Sequence, residues 1–340
     1  MKKIFLKNDE SLKKWNAFKA RKTAILSVWL ILIGCFFSFT AEFWANSKPL
    51  YLNYNGKSFF PTMKNYTAKD FGIENSVQVN YKELKLKKSD SIIWPVIKWD
   101  PFESNKAVKD YPSAPSKENL MGTDDRGRDV FTRLLYGLRY SIIYAIGVWV
   151  ITYFFGVLLG GVQGYFGGKV DLLGQRATEV LSTVPQLLLL IIVISIYDPS
   201  MFWLVAITSI FGWIPISYYI RGEFLKNRKR EYVEAARSLG AGHMRIFFKH
   251  ILPNSLGPII TFSPFAIAGN ITALASLDYL GFGLQAPTPS WGELLAQAQN
   301  NFTIGWWLAL FPSIALFSTL VMFTLIGEGV RDAMDPYKVK

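Results

Sequence analysis

The sequence predicts an all-α protein that crosses a membrane six times, and its composition and charge distribution carry this prediction. Of the 340 residues 51% are hydrophobic and only 18% are charged, whereas about a quarter of the residues in a soluble domain are charged. Six stretches hold no charged residue, and each can cross a bilayer core of about 30 Å as a helix. A soluble domain of this size has too little interior to bury six such helices. The stretches are 23–41, 140–168, 180–197, 201–220, 251–277 and 300–327.

The first stretch, 23–41, follows a basic segment at 1–22 and must be distinguished from a cleaved signal peptide. Its apolar run exceeds the roughly 7 to 15 residues of a signal peptide, and no A-x-A cleavage site follows it. We therefore expect a permanent transmembrane helix.

The basic residues indicate the orientation of the chain. The net charge is +12, and 21 of the 37 Lys and Arg residues lie in four segments beside predicted helix ends, whereas the loops at 198–200 and 278–299 contain none. Because Lys and Arg accumulate on the cytoplasmic side of a membrane, we expect both termini, 1–22 and 328–340, in the cytoplasm and the segment 42–139 outside it. The charge is then explained by topology and not by nucleic-acid binding.

The extracytoplasmic segment 42–139 has signals of its own. An Asn-Gly pair at 55–56 lies between alternating aromatic residues within 51–60, which predicts a β-hairpin with a type I′ turn. The tripeptide GKS at 56–58 matches the end of a phosphate-binding loop, but Tyr51 occupies the position of the required first glycine. No other stretch fits that loop, so we expect no ATP binding by this route and mixed or irregular structure in the rest of the segment.

The sequence indicates no cofactor or metal site. Cys35 is the single cysteine, which excludes an intramolecular disulfide, and the two histidines, His243 and His250, lie in a basic segment without a carboxylate cluster.

Small and polar residues stand out within the predicted membrane helices. Glycines recur every four residues at 156, 160, 164 and 168, a spacing that lets a second helix approach closely, although the last two equally fit a turn. Six polar residues are candidates to line a path for a polar solute, and hydrogen bonds between helices explain them equally well. They are Thr178, Glu179, Gln186, Asn270, Thr272 and Ser276.

The segment 221–254 is too polar to cross the membrane and too regularly patterned to be disordered. Glu231 and Glu234 fall in the first turns of a predicted helix, where the helix dipole stabilises carboxylates, and Gly240 is placed to end that helix in a left-handed cap. An amphipathic piece follows, and Pro253 opens the fifth crossing. We expect two short helices across the cytoplasmic face, which a soluble partner can push; a helix lying on the membrane surface is the alternative.

This segment resembles the EAA loop of ABC-importer permeases. The family pattern is EAA, three residues, Gly, nine residues, Ile, one residue and Leu-Pro, and this chain departs from it only by a histidine in the place of Ile. The peptide-permease branch of the family often has the same histidine. By this resemblance the ATPase-coupling residues are Glu231, Glu234, Ala235, Ala236, Gly240, His250, Leu252 and Pro253.

Two further segments resemble the oligopeptide and dipeptide permeases of the OppC and DppC type. They are MGTDDRGRDVFTRLLYGLRYS at 121–141 and LDYLGFGLQAPTPSWGELL at 277–295. An insert at about 46–112 is longer than in typical members. Its stretch KPLYLNYNGKSFFPTMKNYTAKDFG at 48–72 resembles the corresponding external segment of the YejE-type subunits, permeases that import peptides and microcin C. The matching motif positions are Gly122, Thr123, Asp124, Gly127, Arg128, Asp129, Gly281, Gly283, Pro289, Ser290, Trp291 and Gly292.

The resemblance implies a fold, a function and partners. The expected fold is a MetI-like type I importer core at 140–327, preceded by one helix and the external insert. The expected function is passage of peptides through the inner membrane by a non-enzymatic subunit, in a heterodimer with a second permease subunit. Cytoplasmic ABC ATPase subunits would bind the ATP, so the chain itself would need no cofactor, and an extracytoplasmic binding protein would deliver the peptide. Glu234 would contact the ATPase, Ala235 and Ala236 would permit close approach, and Gly240 would set the bend.

Other functions remain open at this point. The same motifs occur in permeases for nickel and other small solutes. A membrane sensor or scaffold would explain the insert but not the EAA loop. A secondary transporter is disfavoured, because the predicted helices lack the paired acidic and basic residues of an ion or proton relay.

Overall fold

The computed structural model describes residues 9–72, 79–84, 86–197 and 200–335, which are mostly helical. The ends of the two predicted terminal segments and most of the loop 198–200 lie outside these residues. The helices are α1 Asp9–Ala20, α2 Lys22–Phe39, α3 Ala41–Trp44, α4 Val130–Phe166, α5 Gly168–Ser182, α6 Gln186–Ile196, α7 Met201–Gly212, α8 Ile214–Asn227, α9 Glu231–Ser238, α10 His243–Arg245, α11 Gly257–Tyr279, α12 Trp291–Asn300 and α13 Trp306–Met334. The strands are β1 Tyr51–Tyr54, β2 Lys57–Phe59 and β3 Ser91–Ile93.

The predicted six crossings correspond to four continuous helices and two bent pairs. α2, α4, α11 and α13 are each long and apolar enough to cross a membrane. The pair α5 and α6 is bent by 65°, and the pair α7 and α8 by 41°. By length and composition, each bent pair counts as one further span.

The second crossing begins ten residues earlier than predicted, because paired charges extend α4 beyond the charge-free stretch. Asp129 accepts a hydrogen bond from the backbone N–H of Thr132 at 2.8 Å and so caps the first turn. Arg139, inside the helix, donates to both carboxylate oxygens of Glu42 at 2.8 and 2.9 Å. The search for charge-free stretches missed the first turns of α4, because the charged side chains there are paired.

Other boundaries differ from the predictions for related reasons. Thr178 and Glu179 lie on α5, ahead of the bend, and α8 continues through 221–227, so the predicted loop begins later. α13 includes 328–334 of the predicted tail, because Glu328 and Asp332 in its last turns pair with Arg21 at the start of α2. α12, within the loop 278–299, was not predicted.

α4 is the central helix and packs against α2, α7, α8 and α11. Glycines set its close approach to α8. A methyl group added at Gly164 would lie 2.5 Å from the carbonyl oxygen of Arg221, and one at Gly160 would overlap the carbonyl of Ser217. Gly156 has equally little room. The predicted close approach is therefore confirmed for these three glycines, and it lets backbone pack on backbone.

The last glycine of the series, Gly168, belongs to the turn between α4 and α5. Its φ is +54°, that of Gly167 is +64°, and an added methyl group at Gly168 would meet no atom within 4 Å. For this position the turn is the correct interpretation.

The insert contains a three-stranded antiparallel sheet in the order β2-β1-β3. Asn55 and Gly56 join β1 to β2 with φ angles of 50° and 77°, as a type I′ turn requires, so the predicted hairpin is confirmed. The sheet covers a small aromatic core in which the rings of Phe59 and Phe71 lie 4.6 Å apart between centroids. The pairing of β1 with β3, from Leu52 to Ile92, was not predicted.

Both described ends of the chain lie on the face that carries the segment 228–256, which we call the loop face. Arg21, at the start of α2, donates to Glu328 in α13 at 2.6 Å. A methyl group at Gly327 would lie 2.6 Å from the ring of Phe265, near the start of α11. Since α2 leads away from the loop face, the insert and α12 lie on the opposite face, which we call the insert face.

The glycine contacts between α4 and α8 lead to a stability prediction. Gly160→Val forces a branched side chain into the backbone of α8 and should lower the free energy of unfolding by about 1–3 kcal/mol. The measurement is the thermal midpoint of the purified protein in detergent by intrinsic tryptophan fluorescence. Gly222→Val on α8 is the matched control, because a methyl group there contacts nothing within 4 Å. Equal losses in the two variants would contradict the close packing.

Candidate functional site

The segment 228–256 connects α8 to α11 through four short pieces. α9 and α10 are followed by a π-helical turn, Ile246–Ile251, and a 3₁₀ turn, Leu252–Ser255. Glu231 and Glu234 lie in the first turn of α9, as predicted. The prediction that Pro253 opens the fifth crossing is wrong by one turn: Pro253 lies in the 3₁₀ turn, and α11 begins at Gly257.

The 3₁₀ turn before α11 is fixed to the end of α8 through Ser255. The side-chain amide of Asn227 donates to the Ser255 hydroxyl at 3.0 Å, and that hydroxyl donates to the carbonyl of Ile251. Both Asn227 and Ser255 are buried. The chain is thereby tied to the end of α8 before it enters the membrane span.

Gly240 ends α9 in the left-handed conformation, with φ of +78°. The N–H of Ala241 donates to the carbonyl of Ala236 at 3.0 Å and closes the helix end. An added methyl group would meet no atom within 4 Å, so glycine is required by the backbone angle and not by space. The predicted cap is confirmed.

One side of the segment is fixed to the membrane helices. The ring of Phe247 lies 4.8 Å from that of Phe224 on α8, and the hydroxyl of Tyr165 on α4 lies 2.8 Å from Nδ1 of His243. The same apolar contact includes the fully or almost fully buried Ile220, Val233, Ile246 and Ile251. The segment is thus a rigid attachment on α4 and α8.

The other side is exposed. Glu231, Glu234 and Ala235 are accessible, whereas Ala236 retains only 9% of its surface. His250 and Leu252 are half-buried and Pro253 is exposed. Two large apolar side chains beside α9, Leu239 and Met244, are 88% and 71% exposed. Apolar side chains held out on a rigid charged surface are typical of a protein-binding surface.

The other two motif segments meet on the insert face in a buried ionic cluster. Arg128 donates to Asp124 at 2.7 Å and to Glu293 of α12 at 3.0 Å. Arg133 pairs with the second oxygen of Glu293 and donates to the carbonyl of Pro101 at 2.9 Å. The side chains of Asp124, Arg128 and Arg133 are 0%, 3% and 0% exposed. Two cations thus balance two anions, as burial requires.

Asp129 extends this cluster toward the insert. Its second oxygen accepts a hydrogen bond from Asn119 at 2.9 Å, and Asn105 donates to Asn119 at 2.7 Å. Burial raises the pKa of Asp129 above the usual range of an aspartate, while the hydrogen bonds from Asn119 and Thr132 oppose that shift. Asp129 therefore both caps α4 and accepts a hydrogen bond from Asn119, which is in turn bonded to Asn105.

The remaining positions of the first motif shape its backbone. Gly122 and Gly127 have φ angles of 77° and 76°, which glycine adopts without strain. The carbonyl of Thr123 accepts a hydrogen bond from the indole of Trp307 at 3.0 Å. The motif is thus also fixed to α13.

The second motif closes around Asp278 at the end of α11. Asp278 accepts hydrogen bonds from the N–H of Leu284, at 2.6 Å, and from the hydroxyl of Ser290. A methyl group at Gly283 or Gly292 would overlap this turn. Gly281, with φ of +80°, reverses the chain, and Pro289 is buried.

Trp291 joins the second motif to α4. Its indole donates to the carbonyl of Leu134 at 2.9 Å. A methyl group at Gly137 would lie 2.8 Å from the Trp291 ring. The two motifs, distant in sequence, therefore form one structural unit around the start of α4.

Two of the six path candidates face a common cavity. Gln186 and Asn270 line a space of about 460 Å³ between membrane helices, together with Thr152, Thr208 and Tyr219. The amide of Asn270 also donates to the carbonyl of Ala145 at 3.1 Å. The other four candidates have partners within their own helices: Thr178 with Gln175, Glu179 with Arg176, Thr272 with Ala268 and Ser276 with Thr272.

Sequence reasoning missed Arg133, Glu293 and Asp278. All three lie inside the segments 121–141 and 277–295 that carry the family resemblance. The available signal was their charge beside long apolar stretches, since an ionisable residue there needs a partner. Which residues would pair could not be known without the fold.

The comparison with known families decides the class of this membrane protein. The model of the family described as binding-protein-dependent transport system inner membrane component matches residues 153–339. The chain belongs to this family. It is therefore a multi-pass permease of ABC importers, a class that operates with ATPase and binding-protein partners.

Relatives extend the similarity beyond the family core. The inner membrane ABC transporter permease protein YejE of Escherichia coli strain K12 is 41% identical over 96% of both chains. The peptidoglycan transport system permease protein YejE of Agrobacterium fabrum is 37% identical over 96% of this chain and 93% of its own. The dipeptide transport system permease protein DppC of Bacillus subtilis is 36% identical over 65% of this chain and 70% of its own. Both predicted resemblances are confirmed.

The buried ionic cluster leads to a prediction. Glu293→Gln leaves the charges of Arg128 and Arg133 compensated only by Asp124, and should cost about 3–5 kcal/mol of stability. The readouts are the folded yield from membranes and the thermal midpoint in detergent. Glu179→Gln is the control: its pair with Arg176 has side chains 53% and 70% exposed, so less than about 1 kcal/mol should be lost. A midpoint of Glu293→Gln equal to that of the control would contradict the structural role of the cluster.

Proposed function

We propose that this chain is a non-enzymatic permease subunit that passes peptides through the inner membrane, paired with a second permease subunit. Separate cytoplasmic ATPase subunits bind and hydrolyse the ATP, and an extracytoplasmic binding protein delivers the peptide. The relatives named for dipeptide and peptidoglycan transport support this substrate class.

The observation that carries the proposal is the two-sided segment 228–256. Its buried side rests on α4 and α8, and its exposed side holds Glu234, Leu239 and Met244. A partner that binds the exposed side can transmit force to two membrane spans, because packed side chains at the contact leave little slack. Glu231, Glu234 and Ala235 contact the ATPase in this proposal, and Gly240 fixes the angle between the two short helices.

The orientation follows from the same surface. The loop face carries the segment 228–256, the ends of α1 and α13, and most of the Lys and Arg residues that flank the helices. The positive-inside tendency makes it the cytoplasmic face. The insert face is then extracytoplasmic, where a binding protein can reach it.

The path for the peptide runs beside the cavity that contains Gln186 and Asn270. Amide side chains can donate and accept hydrogen bonds with a peptide backbone without a fixed charge. The cavity also has apolar walls, including Phe262 and Phe265. This mixture suits peptides of varied sequence better than a small metal ion, which would need clustered ligands.

We expect Glu234→Lys and Gly240→Asp to uncouple the permease from its ATPase. The first reverses a charge on the exposed side of α9, and the second puts a side chain at φ of +78°, which strains the cap. Both variants should stay in the membrane, while copurified ATPase and peptide-stimulated ATP hydrolysis should fall at least about fivefold. Glu83→Lys, exposed on the insert face, is the charge-reversal control. Normal uptake by both coupling variants would exclude the proposed role of this segment.

A bulky residue in the cavity should block passage without loss of coupling. Ala273 lines the cavity, whereas Ser276, one turn further along α11, does not. Ala273→Trp should reduce peptide uptake by at least about tenfold, because the ring fills much of the space, with the ATPase still copurifying. Ser276→Trp should transport normally. Uptake of labelled peptide into proteoliposomes measures both, and unchanged uptake by Ala273→Trp would remove the cavity from the path.

A further inference from the structure

We infer that a cavity between the insert and the start of α4 is a docking surface for an acidic segment of the binding protein. This inference rests on the proposed function, in which the insert face is extracytoplasmic. The insert lies outside the residues 153–339 of the family model, and the alignment with DppC covers only 65% of the chain. The alignments with the two YejE proteins cover 96% of this chain. We therefore expect a function of the insert that is separate from the function of the shared core.

The charge of the insert favours an acidic partner. The insert, 46–112, contains eleven lysines, no arginine and seven acidic residues. The cavity, of about 600 Å³, is lined by Lys82, Lys98 and Lys117. Lys82 is occupied, since its ammonium lies 2.8 Å from a carboxylate oxygen of Glu103 and 3.5 Å from the centre of the Trp99 ring.

The charges of Lys98 and Lys117 are not neutralised by an ion pair with another residue in the described part of the chain. Both side chains are exposed. The ammonium of Lys98 lies 5.5 Å from the centre of the Trp94 ring, a contact that leaves its positive charge in place. Glu118 is the acidic side chain on the accessible rim of the cavity, and Asp129, at its floor, is committed to Asn119 and Thr132. The accessible rim therefore has an excess of positive charge, which carboxylates can neutralise.

Apolar side chains beside the lysines define the rest of the partner. Val96 and Leu120 line the same cavity and are 81% and 61% exposed. Interfaces commonly combine such an apolar centre with a charged rim. The fitting occupant is a loop or strand that carries carboxylates around an aliphatic side chain.

The cavity is preorganised and joined to α4. The indole of Trp99 donates to the carbonyl of Glu118 at 3.1 Å. The hydroxyl of Thr132, in the first turn of α4, donates to Asp129 at 2.8 Å and lies 3.4 Å from the carbonyl of Trp99. Fixed groups lose little entropy when a partner binds. A partner seated there rests on the helix that contacts the segment 228–256 at its other end, through Tyr165 and His243.

The test is a charge reversal at the cavity. In the complete transporter in lipid nanodiscs, Lys98→Glu with Lys117→Glu should weaken the Kd of the binding protein of the same system by at least about tenfold, with a smaller salt dependence than the wild type. The matched control is Lys57→Glu with Lys69→Glu, two exposed insert lysines outside the cavity, which should change the Kd less than about threefold. Basal ATP hydrolysis should be the same in all three proteins, and Kd is measured by biolayer interferometry.

Three results would overturn the inference. An unchanged Kd in the cavity variant removes the docking surface, and an equal loss in the control variant shows a diffuse charge effect without a site. Tight binding of substrate peptide alone to the wild type, lost in the cavity variant, assigns the cavity to substrate. Failure of the proposed function is separable, because it appears in the wild type as an absence of copurified ATPase and of ATP hydrolysis.

Discussion

The buried positive charge of Arg133 has no access to water and must be neutralised by other groups of the protein. Much of the insert face supplies those groups. Its guanidinium contacts Glu293 of α12, lies 3.4 Å from Asp124, and donates to the carbonyls of Pro101 and Pro287. These groups come from the insert, the first motif, the second motif and α12. An isolated buried cation would lower the stability by several kcal/mol. Each of these segments is therefore held to α4 by its contact with the same guanidinium.

The two ends of α4 are fixed by different kinds of interaction. On the insert face the helix is capped by Asp129 and surrounded by paired charges, whereas toward the loop face glycines bring its backbone against α8. At its end, Tyr165 contacts the segment between α8 and α11. A continuous helix of 37 residues, about 55 Å long, thus joins the surface proposed for the binding protein to the surface proposed for the ATPase. Because both contacts are rigid, a displacement at one end must be accommodated at the other.

Sequence alone predicted the features that depend on local composition. The six spans, the turn at Asn55 and Gly56, the cap at Gly240 and the glycine contacts of α4 each follow from a few neighbouring residues. The start of α4, the bends within two spans, helix α12 and the third strand depend on contacts distant in sequence. Arg133 and Glu293 are 160 residues apart, and neither has a local pattern that identifies its partner. Among the path candidates, only the packing of several helices separates Gln186 and Asn270 from residues that bond within their own helix.

The contact between the two described ends of the chain has a consequence for the order in which the helices pack during synthesis. Arg21 pairs with Glu328 and Asp332, Gly329 packs against Ala24 and Phe18, and α1 and α2 both rest on α13. During synthesis α2 is made long before its main partner, since α13 follows every other described helix in the chain. α2 must therefore wait in the bilayer with part of its packing surface covered only by lipid or by insertion factors. The insertion of α13, and not that of any earlier described helix, is the step that completes this packing.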